Sequence, residues 1–354
     1  MFKRALTAGV TAAALAASLA ACGSSSGSNA SNASASSGLP TVTMMVGGID
    51  KQIYLPYQLA QDLGYFKKYG VNMQLSTEQS GGVGAETAMA SGQVDMAGAW
   101  YVHTIDFQQQ GKAVVDLVNL SGAPGEREMC TKGSNVTSAA QWKGKIVGVT
   151  DIGSGTDNLT RYLAARSNLT TRQFSRAAVG DGQTFLASLQ HRRIVCGMTT
   201  QPTVSAIESQ GVGYSAIDLA STAATQAALG GVYPAAGVLA RAEWVSSHKA
   251  IAQKVVDAMV ATMHWIATHS ATDIADHLPP AFVSNGLITK SAYVNALAKD
   301  KGQFLPDGIM PPSGPTTALA IDKLAGNVSK PVDLAPTWTN SYAIAANKLE
   351  GSMK

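Results

Sequence analysis

The sequence predicts an α/β protein of two similar lobes, each a largely parallel sheet flanked by helices. Three observations lead there. From about residue 41 onward, short apolar or β-branched runs alternate with stretches of helical spacing, the rhythm of parallel strands joined by crossover helices. A second series begins near Met129 and echoes the first at an offset of about 100, with Gly82 against Gly182, Met89 against Leu189 and Met96 against Cys196. Setting aside an N-terminal leader leaves about 330 residues, enough for two lobes of ordinary size.

The first series opens with Thr41 to Val46 (TVTMMV), a strand ended by the turn pair Gly47-Gly48. Leu55, Leu59, Leu63 and Phe66 share one helical face, which predicts a helix over Leu55 to Lys68, stopped by Tyr69-Gly70. Val71 to Leu75 reads as a strand, and Ser80-Gly81-Gly82 opens a helix to about Ser91. Val94 to Ala99 is a third strand, Trp100 to Gln110 a helix, and Val114 to Leu120 a fourth strand. In the second series Lys145 to Thr150 (KIVGVT) is a strand, and Gly153 to Thr156 leads into a helix reaching about Ser167. Gly180-Asp181-Gly182 precedes another helix, and Ile194 to Met198 is a strand. From Glu243 helices dominate, notably Trp244 to Thr268 and Thr289 to Lys299, with a Pro-rich break over Pro306 to Pro315.

The leader is distinct from all of this. Lys3 and Arg4 precede an apolar run, Ala5 to Ala21, that is short and small-sided for a membrane span and placed where a secretory signal lies. It ends in Leu19-Ala20-Ala21-Cys22-Gly23, which resembles the lipobox of bacterial lipoproteins. That resemblance implies cleavage after residue 21 and a lipid on the Cys22 sulfur, with the chain held on the outer face of the cell membrane. Residues 23–38 (GSSSGSNASNASASSG) cannot bury enough apolar surface to fold and read as a flexible tether. The G-x-S-x-G pattern at Gly23 to Gly27 lies inside that tether, away from any strand-to-helix turn, and carries no catalytic meaning. The formal charge of +3 falls to +1 once Lys3 and Arg4 leave. With no Lys/Arg run, it points to neither nucleic acid nor an anionic membrane surface as partner. Beyond Cys22 two cysteines remain, Cys130 and Cys196, and two cysteines in an exported chain point to one disulfide.

Several stretches resemble one family. Gly48-Ile49-Asp50, Leu55-Pro56 and the segment Leu59 to Val71 (LAQDLGYFKKYGV) look like the opening of the nitrate, sulfonate, taurine and thiamine-pyrimidine-precursor binding proteins. These are type II periplasmic binding proteins. Ser91 to Ala97 (SGQVDMA) matches a further signature, and Ala139 to Val149 (AAQWKGKIVGV) the start of the second lobe, so the resemblance spans residues 40–345. At Val195 the chain departs from the family, which usually has Asp there. The resemblance implies mixed, mostly parallel sheets in two lobes joined by two crossovers, near residues 123–126 and 233–238. Lobe one is then 39–124 with 236–354, and lobe two is 125–235. It further implies a monomeric solute-binding protein that serves the permease and ATPase subunits of an ABC importer and needs no cofactor. In the family's sheet order the strands of Cys130 and Cys196 are neighbours, which implies that they pair.

Candidate contacts follow from the rule that open α/β sheets bind ligands beyond the carboxyl ends of their strands. Those ends are Gly48 and Asp50, then Ser80, Gly81 and Gly82, then Trp100, Tyr101 and His103; in the second lobe they are Ser154, Gly155 and Thr156, then Thr200 and Gln201. The openings at Ser80 to Gly82 and Ser154 to Thr156 would offer backbone N–H groups to an anionic edge, or simply cap their helices. Trp100 and Tyr101 supply an aromatic wall or core. Asp50 either meets a cationic or N–H edge of the ligand or caps the helix near Tyr54. His264, His269 and His277 do not share a helical face, so no metal site is expected. Three functions stay open: a binding protein for import, a ligand sensor, and an enzyme of the thiamine-pyrimidine synthase type. The last is opposed by the leader and by the small number of cysteines, so the chain reads as non-enzymatic.

Overall fold

The computed structural model describes residues 38–78 and 82–352. The leader, Cys22, residues 23–37 of the tether, Ser80 and Gly81 lie outside the described residues. The first series runs β1 Thr41–Val46, α1 Leu55–Asp62, α2 Tyr65–Lys68, β2 Asn72–Thr77, α3 Val83–Ser91, β3 Met96–Trp100, α4 Val102–Gln109 and β4 Val114–Asn119. The second runs β5 Glu126–Thr131, β6 Ile146–Val149, α5 Gly155–Arg166, β7 Ser175–Ala178, α6 Gly182–Gln190, β8 Cys196–Thr200, α7 Thr203–Ser209, β9 Gly213–Leu219 and α8 Thr222–Leu229. Then follow β10 Ala236–Arg241, α9 Ala242–Ser247, α10 Lys249–Thr268, α11 Ala271–Asp276, α12 Pro280–Val283, α13 Lys290–Asp300, α14 Gly314–Ala325 and α15 Ser341–Ser352.

These strands form two five-stranded sheets, ordered β2-β1-β3-β10-β4 and β7-β6-β8-β5-β9. In the first, β1 runs parallel to β2 and β3, and β10 inserts antiparallel between β3 and β4. In the second, β6 runs parallel to β7 and β8, and β5 is antiparallel to β8 and β9. The expected two-lobed, mixed α/β architecture is therefore present. Every residue of β3, β4 and β8 is buried, as strands covered on both faces should be. Cys130 and Cys196 face each other in the β5–β8 register and are joined by a disulfide.

Three boundaries differ from the sequence reading. Gly64 adopts a left-handed φ of 71° and splits the expected Leu55 to Lys68 helix into α1 and α2, a conformation that costs glycine little. Trp100 ends β3 rather than starting a helix, and the stretch from Trp244 to Thr268 breaks at His248. Among the described residues, no helix is long and apolar enough to cross a membrane.

Candidate functional site

The strand ends of both sheets converge on one enclosed spot. Lys51, Ile53 and Tyr54 reach it from the turn after β1, Glu86 from α3, Trp100 from β3 and His103 from α4. From the other lobe come Glu126 at the start of β5, Thr150 after β6, and Gly155 with Thr156 at the start of α5. Since β5 is antiparallel to β8, its first residue lies on the same side as the carboxyl ends of β6 and β8. The free space is about 10 Å³, the room of a single water. The lobes are closed on one another.

Two features produce that closure. The Trp100 ring lies directly on Gly155, where any side-chain carbon would fall inside the ring, and it meets Tyr233 edge-on at 6.0 Å. Polar contacts also cross the cleft. Lys51 Nζ pairs with Asp181 at 2.7 Å, Gln52 N donates to Gln201 O at 3.1 Å, Arg127 clamps Asp300 at 2.8 and 2.7 Å, and Asn158 donates to Asp322 at 2.8 Å.

Gly48 decides which charge enters the cleft. Its φ of 93° lies in the region favouring glycine, and the Lys51 side chain packs where a Gly48 Cβ would sit. Lys51 is thereby turned inward, donating to Gly47 O at 3.0 Å. Asp50 is exposed, makes no helix cap, and lines a separate hollow with Asp181. Desolvation and the Asp181 charge raise its carboxyl from the ordinary range.

The acid facing the cleft is Glu126. It is 3 % exposed, its Oε2 has no partner, and burial pushes its carboxyl up to about 8 against the opposing pull of Lys51. Glu86 is buried as well and raised to about 8 by desolvation. His103 Nε2 stands 3.2 Å from Glu86 and its Nδ1 lies 3.0 Å from Asp106. Burial alone would lower this imidazole, but the two carboxyls outweigh it and hold it up at about 9.

The other sequence-predicted residues are mostly engaged with the protein itself. Gly82 N donates to the Glu78 carboxylate, and Gly153 N donates to Asp157 Oδ2 at 3.0 Å. The Gly82 and Gly153 N–H groups are thus engaged by acids of the protein itself, and Asp157 is in turn paired with Arg176. Thr150, Ser154 and Thr156 bond one another at 2.8 to 3.1 Å. Tyr101 is fully buried and bonds Thr337 at 2.7 Å, so it is core rather than wall. Thr200 donates to Gly125 O at 2.6 Å, and Gln201 Oε1 accepts from Ser205 N at 3.1 Å. His264 bonds Asn347, while His269 and His277 pack on Trp265.

Sequence reasoning missed Lys51, Ile53, Tyr54, Glu86, Glu126 and Thr150. Glu86 did leave a signal, as the lone acid in an Ala-rich helix (VGAETAMAS). Glu126 opens the second lobe at a crossover, where any polar residue is close to the cleft.

Comparison with known proteins gives the family and the fold. The family described as NMT1/THI5 like matches residues 53–272, more than half of the chain. A curated relative, the 4-amino-5-hydroxymethyl-2-methylpyrimidine phosphate synthase THI12 of Saccharomyces cerevisiae, is 30% identical over 128 residues. That match spans 35% of this chain and 37% of the yeast enzyme. A solved structure from Bordetella bronchiseptica RB50 superposes with a TM-score of 0.81 at 27% identity, covering 88% of this chain and 98% of that one. The periplasmic nitrate-binding protein NrtA from Synechocystis PCC 6803 superposes with a TM-score of 0.67 at 17% identity, covering 88% and 89%, and shows the shared fold. The chain belongs to the NMT1/THI5-like family, with the fold of the periplasmic binding proteins.

Proposed function

We propose that this chain is a lipid-anchored, extracytoplasmic solute-binding protein that delivers a small polar molecule to an ABC importer. The observation that carries the proposal is the enclosed spot between the lobes, lined by the aromatic Trp100 and Tyr54 and by Glu126, which has an unpartnered buried carboxyl oxygen. A site that closes on its solute suits capture and hand-over. The lobes would be residues 39–124 with 236–354, and 125–235. The nitrate-binding neighbour and the lipobox resemblance at Cys22 support transport outside the membrane rather than catalysis.

The solute is a zwitterion or polar heterocycle carrying an amine or ring N–H, the group Glu126 lacks. This gives Glu126 the role expected of Asp50. A bare anion such as nitrate would bring no donor to the unpartnered Glu126 Oε2. Calorimetric titration over amino-sulfonates, sulfonates, nitrate and aminopyrimidines tests this in wild type and Glu126→Gln. Loss of one charge-assisted bond is worth about 1.5–3 kcal/mol, or roughly ten- to a hundredfold in affinity. Equal affinity in both proteins, or tight binding of a simple anion, refutes the assignment.

A further inference from the structure

A hollow far from the cleft, at the opposite end of the second sheet, plays no part in solute capture. The order β6-β8-β5 sets the start of β6, the start of β8 and the end of β5 side by side. Val195 N donates to Ile146 O at 2.9 Å, and Thr131 N to Val195 O at 2.8 Å, which ties these three ends together. Lys145 precedes β6, Arg192 and Arg193 precede β8, and Lys132 follows β5. Neighbouring strands lie about 4.8 Å apart, so three of them span roughly 10 Å. The four cations line one hollow of about 360 Å³. They are scattered in sequence, which is why no basic run announced them.

None of the four has an ion-pair or side-chain hydrogen-bond partner among the described residues, and no acidic residue lines the hollow. Three other arginines of this protein are paired with acids: Arg127 with Asp218 and Asp300, Arg176 with Asp157, Arg241 with Glu243. Like charges gathered this closely repel, and an anion among them relieves the repulsion. Arg192 also takes a left-handed φ of 54° at the end of α6, a position that glycine or asparagine usually fills. The volume falls within the usual range of small-molecule sites, about 300–1,000 Å³, and exceeds what inorganic phosphate needs. Ile146 on its rim is 45% exposed and gives an apolar edge for an organic substituent.

We propose that this hollow binds the phosphate group of a phosphate ester, held by the guanidinium forks of Arg192 and Arg193 and by the Lys132 and Lys145 charges. The ester is either a soluble metabolite or the headgroup of an anionic phospholipid. The full chain and its Lys132→Glu/Arg193→Glu variant are titrated with glycerol 1-phosphate and co-sedimented with phosphatidylcholine vesicles with and without phosphatidylglycerol. Any hold of the N-terminal segment on vesicles is common to both proteins, so the difference between them reports the hollow. The expected result is binding by wild type weakened about tenfold or more in the variant. A response to glycerol 1-phosphate identifies a soluble ester, and a response to phosphatidylglycerol vesicles alone identifies the headgroup. If neither probe separates the two proteins, the proposal is overturned. Should the variant fail to fold, Lys132→Gln/Arg193→Gln takes its place with the same criterion.

Discussion

Glu126 shows how a single side chain sets a pH dependence. Its folded carboxyl holds its proton up to about 8, whereas an unfolded glutamate releases it near 4.3. Between those values the native chain carries the extra proton, so stability is full below the lower value and is lost as pH climbs through the upper one. Glu86 acts in the same direction. His103, raised to about 9, likewise contributes stability that fades as pH rises past it. The unfolding temperature of the unliganded protein should therefore fall between about pH 5 and pH 9. Glu126→Gln should flatten that slope by up to about 1.4 kcal/mol per pH unit; an unaltered slope would mean that Glu126 is ionised throughout. The sequence exposed the strand ends that gather around the enclosed spot, because strand ends follow from the alternation of elements. It did not show which neighbour turns inward. That choice between Asp50 and Lys51 rests on the one left-handed residue at Gly48, and the choice between Trp100 and Tyr101 on where β3 stops.

At the scale of elements, periodicity located the strands and helices of the first series, and β6, α5, α6 and β8 of the second, but passed over β7, α7, β9 and α8. It missed the interruptions at Gly64 and His248, because the apolar spacing continues across each break while only the local backbone turns. The link between β5 and β8 lends itself to measurement. Cys130 and Cys196 lie 66 residues apart in the chain, and closing a loop of that size restricts the unfolded state by about 4 kcal/mol in the chain-entropy model. Replacing both with Ser should lower stability by about 2–4 kcal/mol in denaturant titration. Under non-reducing conditions the mature protein should show no alkylatable thiol at either position. Two free thiols there would disprove the bridge.

For the whole molecule, closure depends on Trp100 meeting a residue without a side chain. Gly155→Ala would place a methyl inside that ring and hold the lobes apart. The variant should scatter X-rays with a larger radius of gyration than wild type and bind solute at least tenfold more weakly, since the cross-cleft pairs could no longer form. An unchanged radius would show that Trp100 yields instead. The anchor is a separate matter: Cys22→Ala should move the protein from the membrane fraction to the soluble one or stall its maturation, and unaltered fractionation and mass would disprove lipidation. The interleaving of the chain also imposes a sequence in time. All strands of the second sheet come from residues 126–219, whereas the first sheet places β10, residues 236–241, between β3 and β4. As the chain emerges from its N-terminus, the later-numbered lobe can be finished while the earlier one still waits for its middle strand. A chain halted at residue 235 would hold one whole sheet, its disulfide already within reach, and another split into two unjoined parts.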